Sequence, residues 1–474
     1  MTEHPTLHYF QNSVLDLFSH SFLPRSAFAD HELLERVLLS VRCALELLVR
    51  SFAEEEGLTE YYLAFMCHYF SNEASKVART TLKRQSSSLR LYNACALVES
   101  ALGKSEKAAH VWSGAIRMKE KFHAQAQQDV AILWQNWTWS EMQQGDPQHA
   151  LSRLISFDGS LGSQPIATVA SSSATLRVKK AFREGFAHAC SNRNAQLASS
   201  NAECVALLAY MSQSDALMAA IGVLQEYCAQ ISGLATSASA SMTMELLHQA
   251  KARIIRHHIK QRQPYRPADV RSTLENSIDL FPNNTMFLSL YRENEARFRI
   301  DDRVRAILKD DGAADKRLPL IRFSLEVDQE MSRFSSQVSG STAESVRATF
   351  SRALLANSSQ VRNSEFLWAR WLRFESGIVQ LHAMGQSSLE KRRRLQAVQH
   401  WKQVFLGGLH HLPWSKAWIL HGLDSFDSEQ DYGWTLSELR RLYNLLHERE
   451  FRVRVEGVED LLDDIAEGRH SSSR

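Results

Sequence analysis

Tryptophan-bearing helical hairpins recur along this sequence, and the clearest example lies between Ala343 and Phe405. A first helix is predicted after Ser341 and Glu344, which have the spacing of a capping box. Its apolar stripe consists of Val346, Phe350, Ala353 and Leu354. A second helix follows a polar break, and one of its faces carries Trp368, Trp371, Leu372 and Glu375. The third stripe consists of Ala397, Trp401, Val404 and Phe405. The pair Gly407-Gly408 is predicted to end its helix.

The two helices of this hairpin resemble the half-a-TPR (HAT) repeat. The segment LWARWLRFE, Leu367–Glu375, is similar to the first helix of that repeat, which carries a tryptophan, a second aromatic residue and a glutamate. The segment VRATFSRAL, Val346–Leu354, is similar to the second helix. The resemblance implies paired helices that stack on their neighbours along the chain.

Similar hairpins are predicted elsewhere, and glycine or proline separates their helices. Gly103 ends one helix, Gly145 ends another, and Asp146-Pro147 supplies an N-cap followed by a proline in the first turn. The residues that we predict to pack inside the repeats are Tyr92, Trp112, Trp134, Trp137, Tyr291, Phe350, Trp368, Trp371, Glu375 and Trp401.

These patterns predict an all-α fold, a superhelical solenoid of degenerate HAT/TPR-like hairpins. A single hairpin cannot bury both of its apolar faces, whereas stacking on neighbouring hairpins does so. We predict a helical lead-in at 1–57, hairpins at 58–160, helices with Ser/Ala-rich loops at 161–262, HAT-like repeats at 263–455, and an acidic turn and disordered tail at 456–474. One long helix is predicted over 202–230.

Composition narrows the possible functions. The 474 residues contain 9 prolines and 19 glycines, which suits helices, and the formal net charge of +2 predicts no general attraction to nucleic acid. The six cysteines are scattered and predict reduced thiols in an intracellular protein. The N-terminus lacks the features of a signal peptide, and the apolar stretch at 33–49 contains charges that predict an amphipathic helix instead of a membrane span.

The motifs that carry chemistry are absent or incomplete. Gly103-Lys104-Ser105 is similar to the end of a phosphate-binding loop, but Val98 stands where that loop needs a glycine. The histidines of the pairs His257-His258 and His410-His411 point about 100° apart on a helix, so each pair is poorly placed to hold a metal. We therefore expect no enzymatic activity, no cofactor, no metal and no small-molecule substrate.

Two basic clusters are the candidate binding residues. One is the run Lys391, Arg392, Arg393 and Arg394, and the other is a basic helix end that includes Arg253, Arg256 and Lys260. The plainer interpretation of each cluster is a solvated helix face. The functional interpretation is contact with RNA phosphates or with an acidic partner segment.

Three longer segments resemble the helical part of the nuclear-RNAi-defective (NRDE) family. They are KVARTTLKRQSSSLRLYNACALVESALGKSEKAAHVWSGAI at Lys76–Ile116, FPNNTMFLSLYRENEARFRIDDRVRAIL at Phe281–Leu308, and HWKQVFLGGLHHLPWSKAWIL at His400–Leu420. The resemblance spans roughly residues 60–455. It implies a nuclear protein of small-RNA-directed silencing, of splicing and of RNA surveillance with the nuclear exosome.

The partners that the resemblance implies are nuclear RNA-processing proteins, including splicing factors and the exosome-associated RNA helicase. In relatives the helicase contact lies in a low-complexity N-terminal region, and residues of that kind are not recognised in this sequence. We therefore predict a non-enzymatic nuclear scaffold, with RNA contacted indirectly. The repeat pattern equally allows a HAT scaffold of the spliceosome or of mRNA 3′-end processing, and an RNA-binding solenoid is the third hypothesis.

Overall fold

The computed structural model describes residues 31–156, 172–233, 238–297, 319–336, 341–356, 361–383, 388–424 and 434–451. Within these ranges the regular elements are α-helices and one short 3-10 helix, Lys119–Lys121, and none is a β-strand. The chain divides into two compact units, Met1–Val304 and Arg305–Arg474.

One row of helices forms the inner layer of the first unit, and the other helices pack beside it. The inner row contains α2, α4, α7, α10, α12 and α14, each in contact with the next, and the remaining helices pack beside it. The helices are α1 His31–Ser51, α2 Glu56–Tyr69, α3 Ser71–Arg84, α4 Leu89–Ala101, α5 Ser105–Arg117, α6 Ala124–Gln128, α7 Val130–Gln143, α8 Pro147–Ile155, α9 Ser172–Ser191, α10 Ala195–Ser212, α11 Ala216–Ser232, α12 Ala238–Lys260, α13 Pro267–Leu280 and α14 Thr285–Arg297.

Consecutive helices of the second unit pack against each other in chain order. They are α15 Pro319–Ser336, α16 Ala343–Leu354, α17 Glu365–Ala383, α18 Ser388–His411, α19 Lys416–Asp424 and α20 Leu436–Glu448. One core runs through this unit and includes Phe350, Trp368, Trp371, Trp401 and Trp418. Because helices in both units pack on their chain neighbours, the predicted all-α solenoid of stacked hairpins is confirmed.

The predicted repeat positions lie inside these cores with one exception. Trp112, Trp134, Trp137, Trp368 and Trp401 are among the largest fully buried side chains, as is Phe350. Tyr291, Trp371 and Glu375 are also buried. Tyr92 is only half-buried, with its ring edge-on to Phe122 at a centroid distance of 5.9 Å.

Two nine-residue segments, one in each unit, build the same ring stack. The segments are LWQNWTWSE at 133–141 and LWARWLRFE at 367–375. In the first, Trp134 stacks on Trp137 at 5.6 Å, and in the second Trp368 stacks on Trp371 at 5.7 Å. A helix that precedes each segment adds a third parallel ring, Trp112 in one case and Phe350 in the other. The spacing Leu-Trp-x-x-Trp-x-x-x-Glu therefore specifies a recurring structure.

Several local predictions are confirmed. Gly103 and Gly145 adopt positive φ angles of 74° and 89° where their helices end, a conformation that glycine reaches without steric cost. The Asp146 side chain accepts a hydrogen bond from the His149 backbone N–H, and Pro147 occupies the first turn of α8.

Three local predictions were wrong. Thr342, and not Ser341, caps α16, and its capping-box partner is Ser345 because the helix begins one residue later. The helix predicted over 202–230 is two helices, α10 and α11, which are interrupted at Gln213–Asp215. Gly407-Gly408 does not end a helix, since α18 continues to His411.

The glycine pair in α18 is explained by packing. An ideal Cβ at Gly407 would lie 3.0 Å from the ring of Trp368, and one at Gly408 would overlap the indole of Trp418. The Trp418 Nε1–H also donates to the Phe405 carbonyl at 3.1 Å, which holds its ring against this turn of α18. The glycines therefore form a notch for two tryptophans within a continuous helix.

Gly408→Ala is expected to destabilise the second unit by about 1–3 kcal/mol, because the added methyl group forces the buried Trp418 out of its packing. Gly377→Ala is the matched control, since it lies inside α17 and a Cβ there meets no heavy atom within 4 Å. Helix propensity predicts a gain of up to about 1 kcal/mol for that control. Urea unfolding of the two variants measures the contrast, and equal midpoints would refute the notch.

The two-unit division differs from the predicted segments. The boundary between Val304 and Arg305 falls inside the segment predicted at 263–455, so α13 and α14 belong to the first unit. The Ser-, Gly- and Ala-rich sequence at 158–175 predicts a loop, but α9 begins at Ser172, so the last four of these residues are helical. Residues 158–171, the pair Asp301-Asp302 that the sequence predicts to cap a helix, and the acidic turn and tail predicted at 456–474 lie outside the described residues.

Candidate interaction surface

A buried ion pair holds α16 against α17. The Glu375 carboxylate is fully buried, and Arg347 donates to its two oxygens from Nε and Nη2 at 2.8 and 2.7 Å. The Trp371 Nε1–H donates to the same carboxylate at 3.2 Å. The glutamate of the HAT-like pattern is therefore a structural lock that joins two helices, and its carboxylate does not reach solvent.

The same lock recurs in the first unit. Glu99 in α4 accepts from Ser75 and Arg79 of α3, and Glu295 in α14 accepts from Arg271 of α13 at 2.8 Å. Glu141 in α7 faces His149 at 3.2 Å and Arg153 at 3.4 Å, both from α8. In each case a buried glutamate of one helix pairs with a basic residue of its neighbour in sequence.

The glutamates of these locks differ in the direction of their pKa shifts. Burial alone would raise the pKa of Glu99, but hydrogen bonds from Ser75 and Arg79 lower it below its usual value. Burial raises the pKa of Glu141, and the nearby His149 and Arg153 only partly offset that effect. Hydrogen bonding to Glu375 raises the pKa of Arg347. The pKa shifts of Glu99 and Arg347 follow from their hydrogen-bonded ion pairs, and that of Glu141 follows from its burial.

Lys104 lies at the joint between α4 and α5. Its ammonium group is 3.8 Å from the buried carboxylate of Glu99, and its backbone N–H donates to the Glu99 carbonyl at 2.9 Å. The tripeptide Gly103-Lys104-Ser105 therefore connects two helices, as predicted, and the lysine side chain is directed toward a structural lock.

Two histidines of α12, His248 and His257, have pKa values that burial lowers. Burial lowers the pKa of His248 to about 3, and its Nδ1 lies 2.8 Å from the Ser277 hydroxyl. Burial also lowers the pKa of His257 to about 4, where its ring packs edge-on against Trp139 at 5.4 Å. The two ring nitrogens of His258 lie 3.1 Å from the Tyr210 hydroxyl and 3.1 Å from the Pro264 carbonyl, so both are used within the protein.

The basic cluster at the end of α12, which was predicted to form a binding surface, is only partly exposed. Arg253 points inward and forms a bidentate pair with the fully buried Glu203, which also accepts from Gln135 and Trp139. Its assignment to a binding surface was therefore wrong, because the arginine is needed to neutralise a buried carboxylate. Arg256 is half-buried, and Lys260 alone of the three is exposed.

The second basic cluster does reach the surface. Lys391, Arg392 and Arg393 are exposed in the first turns of α18, and Arg393 forms an ion pair with Glu390 at 3.2 Å. Arg394 is half-buried. The charged groups at this end of the hairpin therefore have a net positive balance.

Exposed leucines surround this cluster, and the sequence analysis missed them. Leu381 at the end of α17 and Leu389 and Leu395 in α18 have exposed fractions of 63%, 54% and 65%. Leu389 and Leu395 lie outside the apolar stripe of α18 that includes Ala397 and Trp401. That position in the sequence could have identified them as exposed leucines. We call Leu381, Leu389, Lys391, Arg392, Arg393 and Leu395 the basic tip.

A second apolar surface lies on α1. Its outer side exposes Leu39, Val41, Leu47 and Leu48, with Phe52 just beyond the helix end. The opposite side packs on the first unit through Leu38, Leu45 and Val49. This helix therefore presents apolar side chains in two directions, but its three glutamates and three arginines balance in charge, unlike the cations of the basic tip.

The described helices define an α-helical repeat protein whose buried glutamates pair with basic side chains of packed helices. Within the described ranges, no group of three or more His, Cys, Asp or Glu side chains is arranged to hold a metal ion. No helix in that part of the chain is long and apolar enough to cross a membrane. Neither a model of a known protein family nor a curated protein matches the chain.

Proposed function

We propose that this protein is a non-enzymatic nuclear scaffold of the NRDE family that bridges proteins of small-RNA-directed silencing, splicing and exosome RNA surveillance. The supporting observation is how its chemically active side chains are used. Buried glutamates pair with arginines of packed helices, whereas clustered charged and apolar side chains reach solvent at helix ends. Such an arrangement suits a binding surface on a rigid support.

The NRDE part of the proposal rests on the sequence resemblance. The segment at 76–116 corresponds to most of α3 and to α4 and α5, and the segment at 400–420 joins the end of α18 to α19. Both contain residues that pack in the cores, among them Trp112, Trp401 and Trp418. The nuclear location, the RNA-processing partners and the contact with the exosome-associated helicase are proposed from this resemblance.

Two other functions fit the same fold. A HAT scaffold of the spliceosome or of mRNA 3′-end processing would use equivalent hairpins. An RNA-binding solenoid is favoured by one observation, the exposed cations of Lys391, Arg392 and Arg393. Because cations that contact phosphates make binding strongly dependent on salt, the RNA hypothesis predicts crosslinking that falls steeply as salt is raised.

Affinity purification of the tagged full chain from nuclear extract, with and without RNase, tests the proposal. We expect silencing, splicing and exosome proteins to co-purify in both conditions, because the contacts are between proteins. Loss of all of them after RNase would favour RNA binding. Recovery confined to 3′-end processing or spliceosome components would favour the other HAT scaffold, and absence of the protein from the nucleus would contradict the proposal.

A further inference from the structure

Positive charge is concentrated in one stretch of the first unit. Residues 74–123 contain ten lysines and arginines and three acidic residues, whereas the whole chain has a net charge of +2. The rest of the chain is therefore acidic overall. Because the charge is segregated in this way, the nearly neutral whole chain does not exclude a local attraction to a polyanion.

The outward side of α3 carries a row of cations. Lys76, Arg79 and Lys83 lie at i, i+3 and i+7, so they fall within about 60° of one another around the helix. All three side chains are exposed, on the side of α3 away from the buried Ala74 and Ala78. This helix therefore presents its positive charge to solvent.

The joint between α4 and α5 brings further cations to this row. Arg79 Nη2 lies 3.2 Å from one oxygen of the buried Glu99 carboxylate, and Lys104 Nζ lies 3.8 Å from the other. The start of α5 therefore meets α3 at this carboxylate. Lys107 is exposed one turn further along α5, and Arg84 is exposed at the end of α3. We call the following six residues the α3–α5 surface: Lys76, Arg79, Lys83, Arg84, Lys104 and Lys107.

The acids near the α3–α5 surface do not balance its charge. The helices α3, α4 and α5 contain one acidic residue each. Glu73 of α3 pairs with Arg42 of α1 at 2.7 Å, and Glu99 of α4 is buried. Glu106 of α5 is the acid that remains at the surface. The six cations therefore leave a positive balance.

A ligand for this surface needs negative charge and no apolar anchor. Among the described side chains of residues 62–156, none that is large and apolar or aromatic is exposed. An acidic amphipathic helix binds through apolar side chains, and bases of a nucleic acid strand stack on aromatic rings, so neither finds its usual contact here. Phosphates need only the cations. We propose that the α3–α5 surface binds the phosphate backbone of nucleic acid, independently of base sequence.

Fluorescence anisotropy of a labelled oligouridine of about 20 nucleotides, titrated with the full-length chain, tests this proposal. We expect the logarithm of the affinity to fall linearly with the logarithm of the salt concentration. The slope should be about −2 to −4, since each contacted phosphate of a single strand contributes about −0.7. Oligodeoxythymidine of the same length should bind within about threefold of oligouridine, because its phosphates are the same.

Lys76→Glu/Lys83→Glu/Lys107→Glu is expected to weaken binding more than about tenfold and to make the salt slope shallower by about 2. Lys76→Gln/Lys83→Gln/Lys107→Gln, which removes the charges without reversing them, should show a smaller loss of the same kind. Arg79 and Lys104 stay unchanged in both variants because they neutralise Glu99. Thermal melting should show that both variants remain folded, since the substituted side chains are exposed.

The matched control is Lys260→Glu/Arg262→Glu/Arg266→Glu, which changes the net charge equally at exposed positions of the same unit. Along the inner row, α4, α7 and α10 separate α3 from α12, where Lys260 is the last residue. At 0.15 M salt, where the Debye length is about 8 Å, this control should bind oligouridine within about twofold of the wild type.

Failure of the wild type to bind, equal weakening in the control, or affinity that does not change with salt would overturn the proposal. A strong preference for RNA over DNA would overturn recognition through phosphates alone. Tighter binding of a helical peptide rich in leucine and glutamate than of oligouridine would place an acidic protein on this surface instead. The purified chain suffices for this test, so its outcome is independent of the nuclear partners in the proposed function.

Discussion

Arg347→Met is expected to destabilise the second unit by about 3–5 kcal/mol, the cost of leaving a buried carboxylate without its cation. Glu375 is fully buried and receives both of its charge-assisted hydrogen bonds from Arg347, whose own side chain is only 14% exposed. Trp371 Nε1 would remain as a neutral donor at 3.2 Å, which cannot replace the charge. Urea unfolding, followed by tryptophan fluorescence, measures the loss of stability. Hydrogen exchange of α16 and α17 shows whether the loss lies in the second unit.

Two further variants distinguish the lock from ordinary packing. Arg347→Met/Glu375→Gln removes both charges and is expected to recover most of the stability, so the two effects should be strongly non-additive. Arg50→Met breaks an exposed pair with Glu46 and should cost less than about 1 kcal/mol. A loss for Arg347→Met no larger than that for Arg50→Met would contradict the lock.

Trp371→Ala is expected to cost about 3–5 kcal/mol, because it removes the middle ring of a three-ring stack. Phe350 lies parallel to Trp371 at a centroid distance of 5.4 Å, and Trp368 lies at 5.7 Å on its other side. The substitution also takes away the indole N–H that donates to Glu375. Hydrogen exchange should therefore accelerate in α16 and α18 as well as in α17.

Trp414→Ala is the control for the loss of a tryptophan. Its side chain is 53% exposed, so the change should alter stability by no more than about 0.5 kcal/mol. The loss of stability in Trp371→Phe should lie between those of Trp371→Ala and Trp414→Ala, since the phenylalanine keeps a ring in the stack but loses the hydrogen bond. A melting temperature of Trp371→Ala within error of the wild type would show that the stack does not support the repeats.

The fold was predictable because its strongest signal is local. The stripes around Phe350 and Trp401 depend on helical periodicity, which is independent of what the helix meets in the folded protein. Trp137 and Trp371 were likewise placed inside, as the structure shows. The helix boundaries were less predictable, since Ser341 and Thr342 can both cap a helix and only the backbone path selects between them.

Residues whose role depends on a distant neighbour could not be predicted. Gly408 resembles a helix stop in the sequence, and only the indole of Trp418, ten residues away, shows that it is a packing notch. Arg253 resembles a surface cation, and only Glu203, fifty residues earlier, shows that it is an internal one. The exposed leucines of the basic tip were missed because exposure depends on which helices pack nearby.

The proposed scaffold role depends on direct protein contacts, and reconstitution from purified components tests it most directly. The full-length chain would be mixed with each RNA-processing protein recovered from nuclei, without RNA or nucleotide, and examined by analytical ultracentrifugation. The account predicts a complex of defined stoichiometry with at least two different partners bound at once. Partners that each sediment separately from the chain, and that join it only when RNA is added, would contradict it.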